Sequence, residues 1–355
     1  MEIKSPLISI VIVNYNSGCL LENCIGSILN SQYDNYEIIV VDNNSTDNSQ
    51  NLCKEKFPII KLIQNNDNLG FCDGNNVGII ETNGEFVILL NPDTEVDKKW
   101  LIKLLDAYKK DGDGLFQPKI LVLDEPKRIN SAGNIINLFG FGYSRGKGDL
   151  DMEEFDDEMK INYPSGACLF TSKNIFNKIG KLDSFLWAYH DDLELGWRAA
   201  KLGINSFYVP KSVIYHKESS NFRWNKMKFF LLERNRHYCL LIHYSRKTFY
   251  KMLPHLILIE ILILIYYIKK GLLFEKFRAY LDIIKNIRKI NFKHKELEKL
   301  RIIDDTTIIK NFQNRIFVPK QVSDKKTNEI FNRIINRLAS NFKKSLMNTS
   351  NNKFD

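Results

Sequence analysis

Apolar and polar positions follow one another in blocks along the first quarter of the chain. Leu7 to Val13, Glu37 to Val41 and Phe86 to Leu90 are runs dominated by Val, Ile and Leu, and Ile59 to Gln64 is a weaker one. Short apolar runs bounded by turn formers predict strands buried on both faces. Between them Leu21, Ile25, Ile28 and Leu29 recur at helical spacing, and the polar cluster ending at Asp47 caps a second helix running to about Lys56. Asn65 to Gly78 reads as a Gly/Asn-rich loop leading into a short helix. Strand and helix alternating with short connections predict a mostly parallel sheet flanked by helices.

Further on, Trp100 to Lys109 has helical spacing, and Phe116 to Leu123 reads as a strand. Ile129 to Gly148, rich in Gly and aromatics, and the acidic stretch Asp149 to Glu158 read as surface loops. Tyr163 to Phe170 is an apolar strand, Ile175 to Ile179 a short helix stopped by Gly180, and Ile204 to Val209 and Ser212 to Tyr215 two more strands. From Asn221 onward aromatics and cations mix at helical spacing. Leu253 to Ile268 is apolar but interrupted by Pro254, His255 and Glu260, which makes it short for a membrane span. Phe274 to Ile290 is amphipathic and basic, and Ser340 to Asp355 reads as a disordered tail. The pattern divides the chain into an α/β domain over 1–220, a basic helical region over 221–339 and a tail over 340–355.

Charge sharpens that division. Residues 1–216 hold 21 Lys+Arg against 30 Asp+Glu, a net −9, whereas the remaining residues hold 30 against 12, a net +18. A basic helical region on an acidic domain fits an anionic membrane surface at the cytoplasmic face. A packed helical subdomain with a solvated basic face is the other reading. No recognition motif accompanies the charge, so nucleic acid is not expected. The six cysteines are scattered without a CxxC pair, which excludes a zinc ribbon and predicts reduced thiols. The N-terminus lacks the basic and apolar regions of a signal peptide.

The chemistry gathers at strand ends. Asn14-Tyr-Asn16, Asp42-Asn-Asn44 and Asn91-Pro-Asp93 each close a predicted strand. In an open α/β sheet that edge is where ligands bind. Capping explains any one of these clusters and all three less well. Asp93 on a short turn can hold a hard divalent cation beside phosphate oxygens. Asp191, Asp192 and Glu194 open a helix just after the aromatics Phe185, Trp187 and Tyr189. A carboxylate beside an aromatic platform suits a sugar site with a general base, although a helix N-terminus favours carboxylates anyway. His216 ends the last strand in this acidic setting, as a surface histidine or a metal ligand.

Taken in order, Val11-Ile-Val-Asn-Tyr-Asn16, Val40-Val-Asp-Asn-Asn-Ser-Thr-Asp47, Asn68-Leu-Gly-Phe-Cys-Asp-Gly-Asn-Asn76, Leu89-Leu-Asn-Pro-Asp-Thr94, Ser165-Gly-Ala167 and Asp191-Asp-Leu-Glu-Leu-Gly-Trp-Arg198 resemble the family 2 glycosyltransferases of the glycosyltransferase A-type fold, rhamnosyltransferase-like members especially. The resemblance covers residues 7 to 216. It implies inverting, metal-dependent transfer of a sugar from a UDP-, dTDP- or GDP-sugar to a lipid-linked or polysaccharide acceptor in cell-envelope glycan synthesis. Asn14, Asn16, Asp42 and Asn44 would hold the nucleotide, with Asp42 reading the base. Gly70, Asn75 and Asn76 would lie near ribose and sugar, with Asn91, Gly166, Trp187 and Glu194 completing the substrate side. Asp93 would bind Mg²⁺ or Mn²⁺ with His216 in its shell, and Asp192 would be the general base. The family usually reads Glu-Asp-x-Asp at that helix start; here Asp191-Asp192-Leu193-Glu194 stands, which leaves Asp191 as the competing base. Asn91 occupies the place where the metal motif often has a first aspartate. Two other classes remain. A non-catalytic nucleotide-sugar-binding scaffold of an envelope assembly fits the same motifs, whereas a nucleotidyltransferase would need a basic residue in the loop Asn14 to Gly18, which has none.

Overall fold

The computed structural model describes residues 5–217, 225–317 and 325–351. In chain order it contains β1 (Ile8–Asn14), α1 (Cys19–Leu29), β2 (Tyr36–Asp42), α2 (Ser49–Lys56), β3 (Lys61–Gln64), α3 (Gly70–Ile80), β4 (Phe86–Leu90), β5 (Thr94–Val96), α4 (Trp100–Asp111), β6 (Leu115–Val122), β7 (Glu125–Ser131), β8 (Asn134–Ile136), β9 (Gly142–Ser144), β10 (Met159–Ile161), β11 (Cys168–Ser172), α5 (Lys173–Ile179), α6 (Asp191–Lys201) and β12 (Ser206–His216). The helices α7 (Lys226–His243), α8 (Arg246–Lys269), α9 (Leu273–Lys285), α10 (Ile287–Leu300), α11 (Asp305–Lys310) and α12 (Lys325–Asn351) follow. Two compact units result. The first is Met1–Asn134, Ser144–Ala199 and Ile204–Ser219; the second is Ile135–Tyr143, Ala200–Gly203 and Ser220–Asp355.

The first unit is built on a mixed sheet in the order β10-β12-β6-β11-β4-β1-β2-β3. The half that the apolar runs predict is parallel: β3, β2, β1 and β4 pair in register, with Asn14 beside Asp42 and Ile12 beside Leu90. Strands covered on both faces need no alternation, which is why these runs are apolar throughout. β11 then enters antiparallel between β4 and β6, and β12 pairs parallel with β6. On one face, Leu21, Cys24 and Ile25 of α1 and Trp100, Leu101 and Leu104 of α4 join the main core. The expected fold class, a mostly parallel sheet flanked by helices, is what the structure has.

Local readings need correcting where a distant partner decides the outcome. The Gly/Asn-rich segment after Asn65 is helical from Gly70 onward. Its glycines allow close packing: a Cβ at Gly78 would sit 2.3 Å from a Val11 methyl on β1. The strand expected from Tyr163 begins only at Cys168, because Pro164 and Gly166 interrupt it. The two strands around Pro210 are one, β12, with a register shift between Val209 and Val213. The acidic stretch after Asp149 is clamped: the buried Lys119 of β6 reaches Asp151 at 2.7 Å and Asp156 at 2.6 Å. The Gly/aromatic segment before it contains β8 and β9, paired as a two-stranded sheet.

The second unit is helical apart from its part of the β8–β9 pair. The apolar run expected to be short for a span lies inside α8, 24 residues from Arg246 to Lys269 after its Ser245 cap, long and apolar enough to cross a membrane by length and composition only. The single basic helix expected over Phe274 to Ile290 is two, parted at Asn286, whose side-chain amide donates to the Asp282 carbonyl at 2.9 Å. The expected disordered tail is helical as far as Asn351. Ile335, Ala339, Phe342 and Leu346 recur every three or four residues and are buried, so α12 has a core-facing stripe. Residues 352–355 lie outside the described residues.

Candidate active site

The ends of β1, β2 and β4 meet on one edge, and the sequence supplies that edge with asparagines. Asn14 donates from Nδ2 to Asp42 Oδ1 at 2.8 Å and to Ser49 Oγ at 3.0 Å. Asp42, 1% exposed, also accepts from the Ser45 backbone N–H at 3.0 Å and the Ser45 hydroxyl at 2.6 Å. Its carboxylate thus shapes the loop that follows β2. Asn16 and Asn44 take left-handed backbone angles, φ 52° and 61°. Asparagine tolerates that conformation better than most residues. The Asn16 side chain accepts from the Thr46 N–H at 2.7 Å, and Asn44 is exposed beside it.

Asn43, between two expected site residues, is the one the sequence reading passed over. It is buried, donates to the Gly70 carbonyl at 2.9 Å and accepts from Asn65 Nδ2 at 2.9 Å. It therefore ties the β2 loop to the start of α3. There Gly70 has φ +77°, and a Cβ on it would fall 2.6 Å from the Trp187 indole. Trp187 is placed by its own chain, since its carbonyl accepts from the Cys72 N–H at 3.0 Å. Trp187, Tyr189 and His190 all hold positive φ, 61–65°. Such a conformation costs roughly 1 kcal/mol or more per non-glycine residue, and strain of this kind collects at binding loops. Gly70→Ala is expected to destabilise by roughly 1–2 kcal/mol from the backbone alone and to shift Trp187; thermal unfolding and indole fluorescence measure both. An unchanged melting temperature and emission spectrum would contradict the contact.

Three other expected residues are committed elsewhere. Asn75 donates to the Phe71 carbonyl at 2.9 Å within its own helix. Asn76 uses both ends of its amide on Leu182, donating to the carbonyl at 2.9 Å and accepting from the N–H at 3.0 Å. It fixes the loop before α6. Glu194, fully buried, takes Arg198 Nε at 3.1 Å and Nη2 at 2.5 Å, while Arg198 Nη1 donates to the carbonyls of Ile179 and Lys181. Removing one partner of a buried bidentate pair strands the other charge, at about 3–5 kcal/mol. Arg198→Ala should therefore unfold at markedly lower denaturant than the parent protein, and an unchanged midpoint would remove Glu194 from the scaffold.

The carboxylates expected to carry the chemistry lie by the same edge. The Asn91 N–H donates to the Ala167 carbonyl at 3.0 Å, joining the turn after β4 to the turn before β11. From the preceding residue of that turn, the Gly166 N–H donates to Asp192 Oδ2 at 3.1 Å. The Leu193 N–H donates to Oδ1 at 2.8 Å. Burial pushes the Asp192 carboxyl up to about 6. Asp191 is driven well above the carboxylate range, first by burial and then by the charge of Asp192. Asp192 is half-buried and Asp191 buried.

At the other end of the turn, Asp93 is 6% exposed, and its Oδ1 lies 3.2 Å from His216 Nε2, off line for a full hydrogen bond. The pairing of β5 with β12 places them, with Thr94 opposite His216. His216 Nδ1 lies 3.4 Å from Asn130 Oδ1. Burial works against the Asp93 charge, yet the His216 imidazole holds its carboxyl below the ordinary value. A carboxylate oxygen and an imidazole nitrogen about 3 Å apart have the spacing of neighbouring ligands around an ion bound at about 2.1 Å. The residues present therefore fit a divalent cation.

Comparison with known proteins follows the same outline. Residues 9–180 match Glycosyl transferase family 2, a segment that stops short of Asp191 and His216. Agl10 of Haloferax volcanii, a low-salt glycan biosynthesis hexosyltransferase, is 28% identical over 206 residues, 56% of this chain and 63% of that protein. The N-acetylglucosaminyl-diphospho-decaprenol L-rhamnosyltransferase of Mycobacterium tuberculosis is 25% identical over 246 residues, 62% of this chain and 79% of that protein. A crystal structure of GalNAc-T7 with UDP, GalNAc and Mn²⁺ shares the fold at TM-score 0.56 and 18% identity, over 71% of this chain and 51% of that one. This chain thus spans just under two thirds of the haloarchaeal protein and about half of the crystallised one.

Proposed function

We propose, on the premise that residues 9–180 of this chain belong to glycosyl transferase family 2, that the protein is an inverting, metal-dependent glycosyltransferase. It moves a hexosyl or deoxyhexosyl group from a nucleotide diphosphate donor to a lipid-linked or polysaccharide acceptor in envelope glycan synthesis. The observation that carries this reading is the meeting, on one sheet edge, of the Asp93–His216 pair with the Asp192 carboxylate hung from the Gly166 N–H.

The loops after β1 and β2, set by Asn14, Asp42 and Asn43, take the nucleotide. The strained Trp187 loop and Gly70 form the sugar platform. Asp93 and His216 are the residues that would hold Mg²⁺ or Mn²⁺, whose charge stabilises the leaving diphosphate. Asp192 removes the proton from the acceptor hydroxyl as that oxygen attacks the anomeric carbon. Its two backbone donors fix the carboxylate, and burial brings its affinity for a proton close to neutrality, where a general base is most useful. Asp191, buried beside it, is pushed toward the protonated form by that burial and by the charge of Asp192. The basic second unit serves the membrane-bound acceptor by holding the enzyme at the cytoplasmic membrane face.

The test is turnover. The full chain, given a panel of UDP-, dTDP- and GDP-sugars and a polyprenyl-diphosphate-linked acceptor, should yield one dominant glycosylated product by mass spectrometry. Neither binding nor turnover with any donor would favour a non-catalytic scaffold instead.

A further inference from the structure

The second unit carries an apolar surface that its own core does not use. On α8, Tyr250, Leu253, Ile257, Ile261, Ile265 and Ile268 are exposed at three- and four-residue spacing. On α9, Phe274, Phe277, Leu281 and Ile284 repeat the pattern, with Phe274 73% exposed. The opposite face of α8 is spent inside the unit, where Met252, Leu256, Ile259, Ile263 and Tyr267 are buried. The two helices lie side by side, because Glu260 of α8 accepts from Lys276 Nζ and Tyr280 Oη of α9, each at 2.5 Å.

The charges around this surface have one sign. From Tyr250 to Lys289 the exposed ionic residues are Lys269, Lys270, Arg278, Lys285, Arg288 and Lys289. The acidic residues of the same stretch are withdrawn: Glu275 is buried, Asp282 faces Arg234 at 3.4 Å, and Glu260 is held by Lys276 and Arg236. A second copy of the chain brought face to face would oppose cation to cation. An anionic lipid surface accepts both the apolar side chains and the cations.

We infer that α8 and α9 form a monotopic docking face that lies in the headgroup region of an anionic bilayer, with α8 parallel to the membrane and not across it. Spanning would pull Glu260 from an ion network that includes Arg236, His237 and Lys276, with Glu233 as its other carboxylate. Arg236 and Lys276 are almost wholly buried in that network. Burial opposes the Glu260 charge, yet the neighbouring Arg236, His237 and Lys276 hold its carboxyl far below the usual range. The ligand atoms of Glu233, His237 and Glu260 lie within 4.8 Å of one another, as a metal site would require. Their carboxylates are already taken by Arg236 and Lys276, which makes the cluster an ion lock for α7, α8 and α9. An unpaired carboxylate in hydrocarbon is costly, so the lock keeps α8 in the unit.

The inference deepens the membrane part of the reading above and is independent of the sugar chemistry. The experiment uses the full chain without donor or acceptor. Flotation is measured with phosphatidylcholine vesicles and with vesicles that also contain phosphatidylglycerol. Binding should be at least roughly tenfold tighter to the anionic vesicles and should weaken with salt. The pair Phe274→Glu and Phe277→Glu should reduce it by roughly tenfold or more, with the circular dichroism spectrum unchanged. Should that pair misfold, Ile257→Glu with Ile261→Glu is the second variant set. Alkaline carbonate should release the protein from native membranes. Resistance to carbonate would overturn the inference in favour of a span. Equal binding to neutral vesicles would remove the role of the cations. Absence of vesicle binding, with a concentration-dependent dimer broken by Phe274→Glu, would give the face to a second copy. Turnover on a water-soluble acceptor, measured separately, distinguishes these failures from failure of the transfer reading.

Discussion

Asp192→Asn is expected to lower sugar transfer by roughly 10²–10⁴-fold, the usual contribution of a positioned general base, while donor affinity stays within a few-fold. The amide has the volume of the carboxylate and can still accept one of the two backbone hydrogen bonds, from Gly166 or from Leu193. It cannot take up a proton at neutral pH. In the parent enzyme the rate should fall as pH drops through about 6, the value to which burial raises the Asp192 carboxyl, because the protonated form is no base. Stability moves in the opposite sense. Between the ordinary 3.8 and about 6 the folded chain holds this proton and the unfolded chain does not, so stability declines as pH rises through that window. Asparagine removes that cost and loses one hydrogen bond worth about 1 kcal/mol, so the melting temperature at neutral pH should change little. Asp191→Asn should keep most of the activity. If Asp191→Asn is the inactive variant and Asp192→Asn is not, the base is the neighbouring residue. Product mass spectrometry across a pH series reads all of these outcomes.

The part of the fold that was legible from the residues is the part whose physics is local. Runs such as Phe86–Leu90 are apolar because neighbouring strands and covering helices leave them no solvent face, and that alone marks them as central strands of a helix-covered sheet. What depended on a distant partner was not legible. An acidic stretch at Asp149 reads as solvated until Lys119, from another strand, is found buried against it. A run with Gly74 and Gly78 reads as loop until Val13 and Val11 are seen to need the space. The last helix hides its stripe among polar residues.

The candidate site divides in the same way. The strand-end rule brought Asn14, Asp42 and Asp93 to one edge, and the sheet register put them there. The rule could not tell which polar groups face outward and which hold the edge in shape. Glu194 and Asn76 belong to the second kind through Arg198 and Leu182, and Asn43, the buried middle residue of Asp42-Asn43-Asn44, does so too. The asparagines have a double use that composition alone does not separate: Asn16 and Asn44 offer amides and also accept a left-handed backbone.

Asp93→Ala should abolish transfer, by roughly 10³-fold or more, since it removes the carboxylate that would hold the cation facing the leaving diphosphate. The side chain is nearly buried, with the His216 imidazole 3.2 Å away. No other carboxylate in the turn can replace it: Asn91 is neutral, and Glu95 sits two residues on, in β5, a strand paired with β12. His216→Ala should cost less, roughly 10–100-fold, because the carboxylate remains to hold the ion while a ligand and its orientation are lost. A chelator should reproduce the Asp93→Ala rate in the parent enzyme, and Mn²⁺ or Mg²⁺ should restore it. Calorimetric titration of Mn²⁺ with UDP present gives a readout that does not pass through turnover: binding should vanish in Asp93→Ala and weaken in His216→Ala. Full activity in chelator, or unaltered Mn²⁺ binding in Asp93→Ala, would take the metal away from this turn and leave the diphosphate to be neutralised by side chains alone.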